Sequence, residues 1–274
     1  MSIPESAFPQ ARPEQLADLL CRQKMLALRY PSSQQAGIPG GLYICRDKDY
    51  SLRNVARGIR PAVKGALGRC EIRRVEPDEL LSQGLECNLD TMRRQGRDNR
   101  EFSDPRRWRR LVEAASRVPA IEATGAFIDG KLGAYMLACR EDGWCNLLYN
   151  FSRTSLLEHR PNHTLYFAIL ERSLRQPGVE GVCAGPKTLM ADDGLHDFKT
   201  RIGFAVEPHR VVVRFHPALE GILVSPLGMT AANLVRRALP RSRRLARAIA
   251  FLQAARDARC GGHETNLVAD GRTG

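Results

Sequence analysis

Between Ile121 and Pro217 the spacing of apolar positions changes period several times, and each change marks an element. An apolar run ends at Ile128, Asp129-Gly130 follows, and a second run covers Leu132 to Cys139. Asp-Gly between two apolar runs predicts a hairpin, because both turn residues must take positive φ. Arg140 to Gly143 predicts a further turn, and Trp144 to Phe151 a third antiparallel strand. The period then becomes helical from Asn162 to Arg175, where Pro177-Gly178 stops it. Val179 to Ala184 reads as a short buried strand, parallel to its neighbour because a helix separates the two. Leu195 to Ile202 reads as a short helix ending at Gly203, and the valine-rich Arg210 to His216 as a last strand.

The flanks are read in the same way. Pro13 to Leu28 has helical spacing, Pro31 to Gly41 reads as a loop, and Gly41 to Cys45 as a short strand. Arg53 to Ala66 places Arg53, Arg57, Arg60 and Lys64 along one side of a helix, against which Gly58 and Pro61 count. Those cations would form an anion-binding surface or simply a solvated face. Cys70 to Val75 predicts a strand. Helices follow from Pro77 towards Arg94 and from Pro105 to Val118, with a polar break over Gly96 to Asp104. Beyond Pro217 the stretch from Pro226 to Pro240 is irregular or briefly helical. Arg241 to Arg256 reads as an amphipathic helix with Leu245, Ile249 and Leu252 on one face.

This order of elements resembles the GNAT acyltransferase superfamily, and in particular its FemAB-like branch. The meander Ala123 to Phe151 resembles the central hairpin and cofactor-side strand. Leu195-His-Asp-Phe-Lys-Thr-Arg-Ile-Gly-Phe204 resembles the branch's Phe-Lys-x-x-x-Gly segment. The basic stretch from Ser51 with the strand Cys70 to Val75 resembles the start of its transferase domain. The resemblance covers Ser51 to His216. It implies an α/β fold with a mixed, mostly antiparallel sheet flanked by helices, followed here by the C-terminal amphipathic helix. Three regions are expected: an N-terminal helical extension (1–50), the transferase domain (51–217), and a basic C-terminal extension and tail (218–274).

The resemblance also implies a chemistry. The donor would lie in a splay between Cys145–Phe151 and Val179–Ala184, meeting the helix start near Asn162, where free amides favour negative charge. The loop Ser152 to His163 carries Arg153 and Arg160 but no glycine, unlike a pyrophosphate-wrapping loop. Lys199 takes the position of the branch's lysine, where it would hold a donor phosphate or stabilise an oxyanion. Phe198 would pack beneath it, and Arg201 is counted among the donor-binding residues. Tyr149 or Asn150, near a strand end, would bind the acceptor amine or an attacking water chain, with a core aromatic as the equal alternative for Tyr149. His163 is the histidine best placed for proton transfer, with Glu122 and Asp197 as lesser candidate bases. The expected reaction is N-acyl transfer from an acyl-CoA or acyl-carrier-protein thioester to an amine acceptor, by direct attack. The alternatives are an aminoacyl-tRNA-dependent transferase or a non-catalytic basic binding module on the same fold.

Composition narrows the partners. The chain of 274 residues is 43% hydrophobic, enough for a proper core, and carries a formal charge of +12. Such a charge favours polyanions: an acidic carrier protein, tRNA or anionic lipid, the last through 241–256. No apolar run is long enough for a membrane span, and the N-terminus has no signal-peptide pattern. None of the eight cysteines forms a Cys-x-x-Cys pair, so no metal site is signalled and a reduced, cytoplasmic setting is expected, peripheral to a membrane if the C-terminal helix binds one.

Overall fold

The computed structural model describes residues 12–32, 37–187, 193–223 and 225–238, with Ala248, Ile249, Leu252 and Arg256. In chain order the elements are α1 (Pro13–Arg22), β1 (Ala27–Ser32), β2 (Ile38–Cys45), α2 (Arg60–Leu67), β3 (Glu71–Arg74), α3 (Pro77–Glu79), a π-helical turn (Leu80–Gly84) and α4 (Leu85–Gln95). Next come α5 (Arg100–Ser103), α6 (Pro105–Ser116), β4 (Ile121–Ile128), β5 (Lys131–Glu141), β6 (Trp144–Ser152) and a 3-10 helix (Thr154–His159). Last are α7 (Pro161–Leu174), β7 (Gly181–Pro186), α8 (Asp193–Ile202), β8 (Ala205–Phe215), α9 (Pro217–Leu223) and α10 (Pro226–Ala238).

The chain divides into two compact units. The larger, Leu42–Glu207, is built on a sheet ordered β2-β7-β6-β5-β4-β3, antiparallel throughout except between β6 and β7. β5 is apolar at nearly every position because both of its faces are covered. Ala134, Met136 and Ala138 pack with α2 and α7 around Val63, Leu165 and Ile169. Leu132, Tyr135 and Leu137 pack the other way, with Phe102, Trp108 and Val112 of α5 and α6. Alternation by two thus feeds two cores from one strand. Trp108 is fully buried, and its indole donates to the Leu80 carbonyl (2.9 Å) in the π-helical turn. Both hairpin turns are as the Asp-Gly pairs require: Asp129 and Gly130, then Asp142 and Gly143, all have positive φ.

The smaller unit holds residues 1–41 and 208–274. Within it β1 pairs antiparallel with β8, from Ala27 opposite Phe215 to Ser32 opposite Arg210, and Leu16, Tyr30 and Val212 form a local core.

Several expectations are corrected. The first helix stops at Arg22 rather than Leu28: Lys24 turns the chain at φ 50, and Ala27 onward pairs as β1. The leucine spacing was compatible with a longer helix, but strand pairing decides the conformation. The first fifty residues therefore carry two strands besides a helix, and β2 begins at Ile38 inside the expected loop. The basic segment is helical only from Arg60, because Pro61 is tolerated in a first turn and not in a helix interior. Arg60 donates to the carbonyls of Val55 (2.9 Å) and Arg53 (2.8 Å), so it closes this bend instead of lining an anion surface. The polar break holds α5, capped by the Asn99 side chain. The amphipathic helix expected over 241–256 lies outside the described residues, apart from the four named above.

Candidate functional site

The site is created where β6 and β7, the parallel pair among the described strands of the larger unit, come together. β6 and β7 pair at Trp144–Gly181, Cys145–Val182 and Asn146–Cys183, and there the pairing ends. Beyond it β6 shifts register against β5 between Leu147 and Tyr149, a bulge that bends the strand away. Among the described residues β6 has no β7 partner beyond Asn146, so amides along that edge could donate to a bound group.

On the other side of the opening, β7 is itself irregular. Leu42 pairs with Pro186 and Ile44 with Cys183, leaving Ala184 and Gly185 opposite Tyr43. Gly185 has φ 81. This bulge is filled from α8. Lys199 is only 6% exposed, its ammonium donates to the Ala184 carbonyl (2.6 Å), and it lies 4.3 Å from the centre of the Tyr43 ring. A buried cation requires such partners. The Tyr43 hydroxyl lies 3.0 Å from His196 Nδ1. His196 and Lys199 are three residues apart and share a face of α8. A lysine cation, a phenol and an imidazole therefore meet at the first β7 residue past the parallel ladder.

The glycine that ends this motif has a steric reason. Gly203 has φ 115, and a Cβ there would stand 2.7 Å from the Tyr50 ring, whose hydroxyl bonds the Ile202 carbonyl. Only glycine allows both the turn and the ring to stay.

The first turn of α7 forms the second part of the site. Arg160 takes a left-handed conformation at its N-cap and Pro161 opens the helix. Asn162 donates to Ser152 Oγ (3.2 Å) while its Oδ1 is buried without a partner, and His163 Nδ1 is likewise buried and unpartnered. The His163 ring meets Phe198 edge-on at 5.0 Å, linking α7 to α8. Burial, reinforced by the Arg160 charge, holds its pKa below the ordinary value, so the ring is neutral near pH 7. Beside this helix start, Arg69, His159 and Arg160 line a pocket of about 180 Å³ together with Glu158 and Pro61. The 3-10 helix Thr154–His159 occupies the place of the glycine-free loop.

The remaining candidates have other partners. Arg153 is paired with Glu86 (2.5 Å) and donates to the Leu132 carbonyl, so its charge is spent within the fold rather than offered to a donor. Arg201 is exposed and paired with Asp197 one turn away (2.8 Å). Tyr149 packs tilted against Phe102 (ring centres 4.7 Å apart) in the α5–α6 core, on the sheet face opposite α7, and Asn150 donates to the Tyr135 carbonyl (3.1 Å). Glu122 is held by Arg172 (2.6 Å) and Arg140 (3.3 Å). Tyr43 and His196 were missed from the sequence. His196 had a usable signal, its helical spacing from Lys199; Tyr43, an aromatic in an apolar strand, had none. Burial raises the thiols of Cys45, Cys70, Cys87, Cys139 and Cys145, so none of these is poised as a thiolate nucleophile. Among the described residues no three His, Cys, Asp or Glu side chains converge as a metal site.

No protein-family model and no curated protein matches this chain. Its fold is similar to that of solved structures. The crystal structure of FemX is similar with a TM-score of 0.57, at 14% identity over 76% of this chain and 79% of that one. The C-terminal domain of an Agrobacterium fabrum protein named as a lysylphosphatidylglycerol synthetase is similar with a TM-score of 0.52, at 13% identity over 82% and 78%. The fold is thus the GNAT/FemAB-like one implied by the order of elements.

Proposed function

We propose that this chain is an acyltransferase that holds an activated acyl donor along the open edge of β6 and passes the acyl group directly to an amine. The observation that carries this reading is the Lys199 ammonium, buried on the Ala184 carbonyl where β6 and β7 part. In the reaction the amine nitrogen bonds to the donor carbonyl carbon, the bond from that carbon to sulfur or oxygen breaks, and the amine proton ends on the leaving group. Amides along that edge of β6 would polarise the carbonyl, and Lys199 would supply positive charge as its oxygen becomes negative. His196, backed by Tyr43, would take the proton from the amine; His163 on α7 is the second candidate for that step. The absence of a thiolate among these cysteines supports attack without a covalent intermediate.

The donor of this reading is an acyl thioester on CoA or on an acidic carrier protein. The pocket lined by Arg69, Arg160, His159 and Glu158 supports it, because a phosphate-bearing arm would find the two arginine cations there beside the start of α7. A second reading, with an aminoacyl-tRNA ester as donor, has its own support. The link from β6 to α7 is a glycine-free 3-10 helix, which does not offer the run of amides that wraps a pyrophosphate. The Agrobacterium neighbour is also named for joining a lysyl group to a lipid.

Melting of the purified protein with acyl-CoAs, an acylated carrier protein and bulk tRNA, at low and moderate salt, separates the readings, since a ligand of the folded state raises the Tm. A rise with a thioester, followed by amide formation with an amine panel, is the expected result. A rise with tRNA alone, lost as salt increases, selects the second reading. Ligand binding with no transfer, unchanged by Lys199→Met, would leave a binding module instead.

A further inference from the structure

The smaller unit ends in two helices that leave apolar side chains uncovered. α10 buries Met229 and keeps Ala232 and Asn233 half-buried. Its opposite face carries Leu227, Ala231, Leu234 and Ala238 at i, i+4, i+7 and i+11, with Val235 beside them, and all are exposed. Leu227 is 83% exposed, Leu234 58% and Val235 45%, and Ile222 on α9 adds another at 66%. A row of bare leucines on one helix face marks a surface that something apolar covers.

The charge around this face identifies what covers it. Glu220 is the one acid on α9 and α10; from Gly221 to Arg256 the sequence contains no aspartate or glutamate and seven arginines, beginning with Arg236 and Arg237 at the end of α10. An apolar helix face followed by an acid-free, arginine-rich run complements a surface that is apolar inside and anionic outside. Neither helix is long and apolar enough to cross a membrane alone; the two together reach the length and apolarity of a span, but the pair is bent by 76° at the break between them. Those dimensions suit a helix lying in an interface. We propose that α9 and α10 anchor this protein on the surface of an anionic bilayer, with Ile222, Leu227 and Leu234 among the acyl chains and the positive charge of the acid-free sequence drawing them to the lipid phosphates. This proposal does not depend on the acyltransferase reading.

The test uses the full chain and flotation with vesicles of phosphatidylcholine alone or enriched in phosphatidylglycerol. Binding to the anionic vesicles and little to the neutral ones is expected. Leu227→Glu with Leu234→Glu should weaken that binding by about tenfold or more. Both side chains point away from the unit's core, so the Tm of the double variant should match the parent. High salt should weaken binding only in part, because the apolar contribution remains. Three results would overturn the proposal: no vesicle binding, binding that the double variant retains in full, or a parent dimer that the double variant converts to monomer. The last would assign the face to a second copy of the chain.

Discussion

A lysine ammonium buried in a strand bulge has few substitutes. Lys199→Met keeps the length and packing of the side chain but removes the charge, leaving the Ala184 carbonyl without the bond shown here. If the charge supports the reaction, transfer should fall by about 10²- to 10³-fold while the donor-induced Tm rise persists. Lys199→Arg should not rescue it, since a longer side chain with a planar guanidinium does not fit a buried bulge filled by a compact ammonium. His163 offers a check that needs no substrate. Its folded pKa lies below the ordinary 6.5, chiefly through burial. As pH falls through that value the unfolded chain takes a proton that the folded chain refuses. The stability tied to His163 is therefore complete above about pH 6.5 and is lost progressively below it. His163→Phe should show a shallower decline in Tm between about pH 7 and 5 than the parent; parallel curves would remove His163 as the cause.

Among the elements, β6 carries the most consequence, because it is fixed along one half and open along the other. Its end is tied to α4: Thr91 Oγ1 accepts from the Ser152 amide (2.8 Å) and donates to the Ser152 carbonyl (2.9 Å), while Arg94 reaches Ser152 Oγ (2.9 Å). Ser152 Oγ in turn accepts from Asn162, so α4 positions the start of α7 through one serine. Thr91→Val leaves the buried Ser152 amide unsatisfied and its carbonyl with only the longer bond from Arg94 (3.5 Å), and should cost about 1–3 kcal/mol in denaturant unfolding. The end of α8 is as constrained. Gly203→Ala forces a side chain into positive φ and against Tyr50, and should cost about 1–3 kcal/mol of stability. A neutral Gly203→Ala would mean that Tyr50 does not hold the end of α8.

For the whole molecule, a net charge of +12 makes any anionic ligand bind more weakly as salt rises, so salt dependence separates donors better than affinity does. A tRNA complex covering several phosphates should lose about three orders of magnitude or more in affinity between 50 and 200 mM salt, whereas a CoA thioester, with few charges, should change far less. Filter binding or fluorescence titration at several salt concentrations distinguishes the two by slope alone.

The sequence by itself determined the elements whose signals are local. Asp129-Gly130 and Asp142-Gly143 specify turns through the φ they tolerate, and Pro177-Gly178 ends a helix because proline lacks the needed N–H. The order of those elements was enough to identify the fold, and the Phe-Lys-x-x-x-Gly segment drew attention to Lys199. What only the tertiary structure decided depends on contacts between residues far apart in the chain. Lys24 to Ala27 leaves the helix because β8, almost two hundred residues later, offers strand pairing. Tyr43 meets His196 across a bulge that no local pattern encodes. Arg153, expected to bind the donor, is paired with Glu86 on α4. Turn and helix propensities act over a few residues and are legible in order. Burial, pairing and charge compensation act through space, and they decide which polar groups of this chain are left to react.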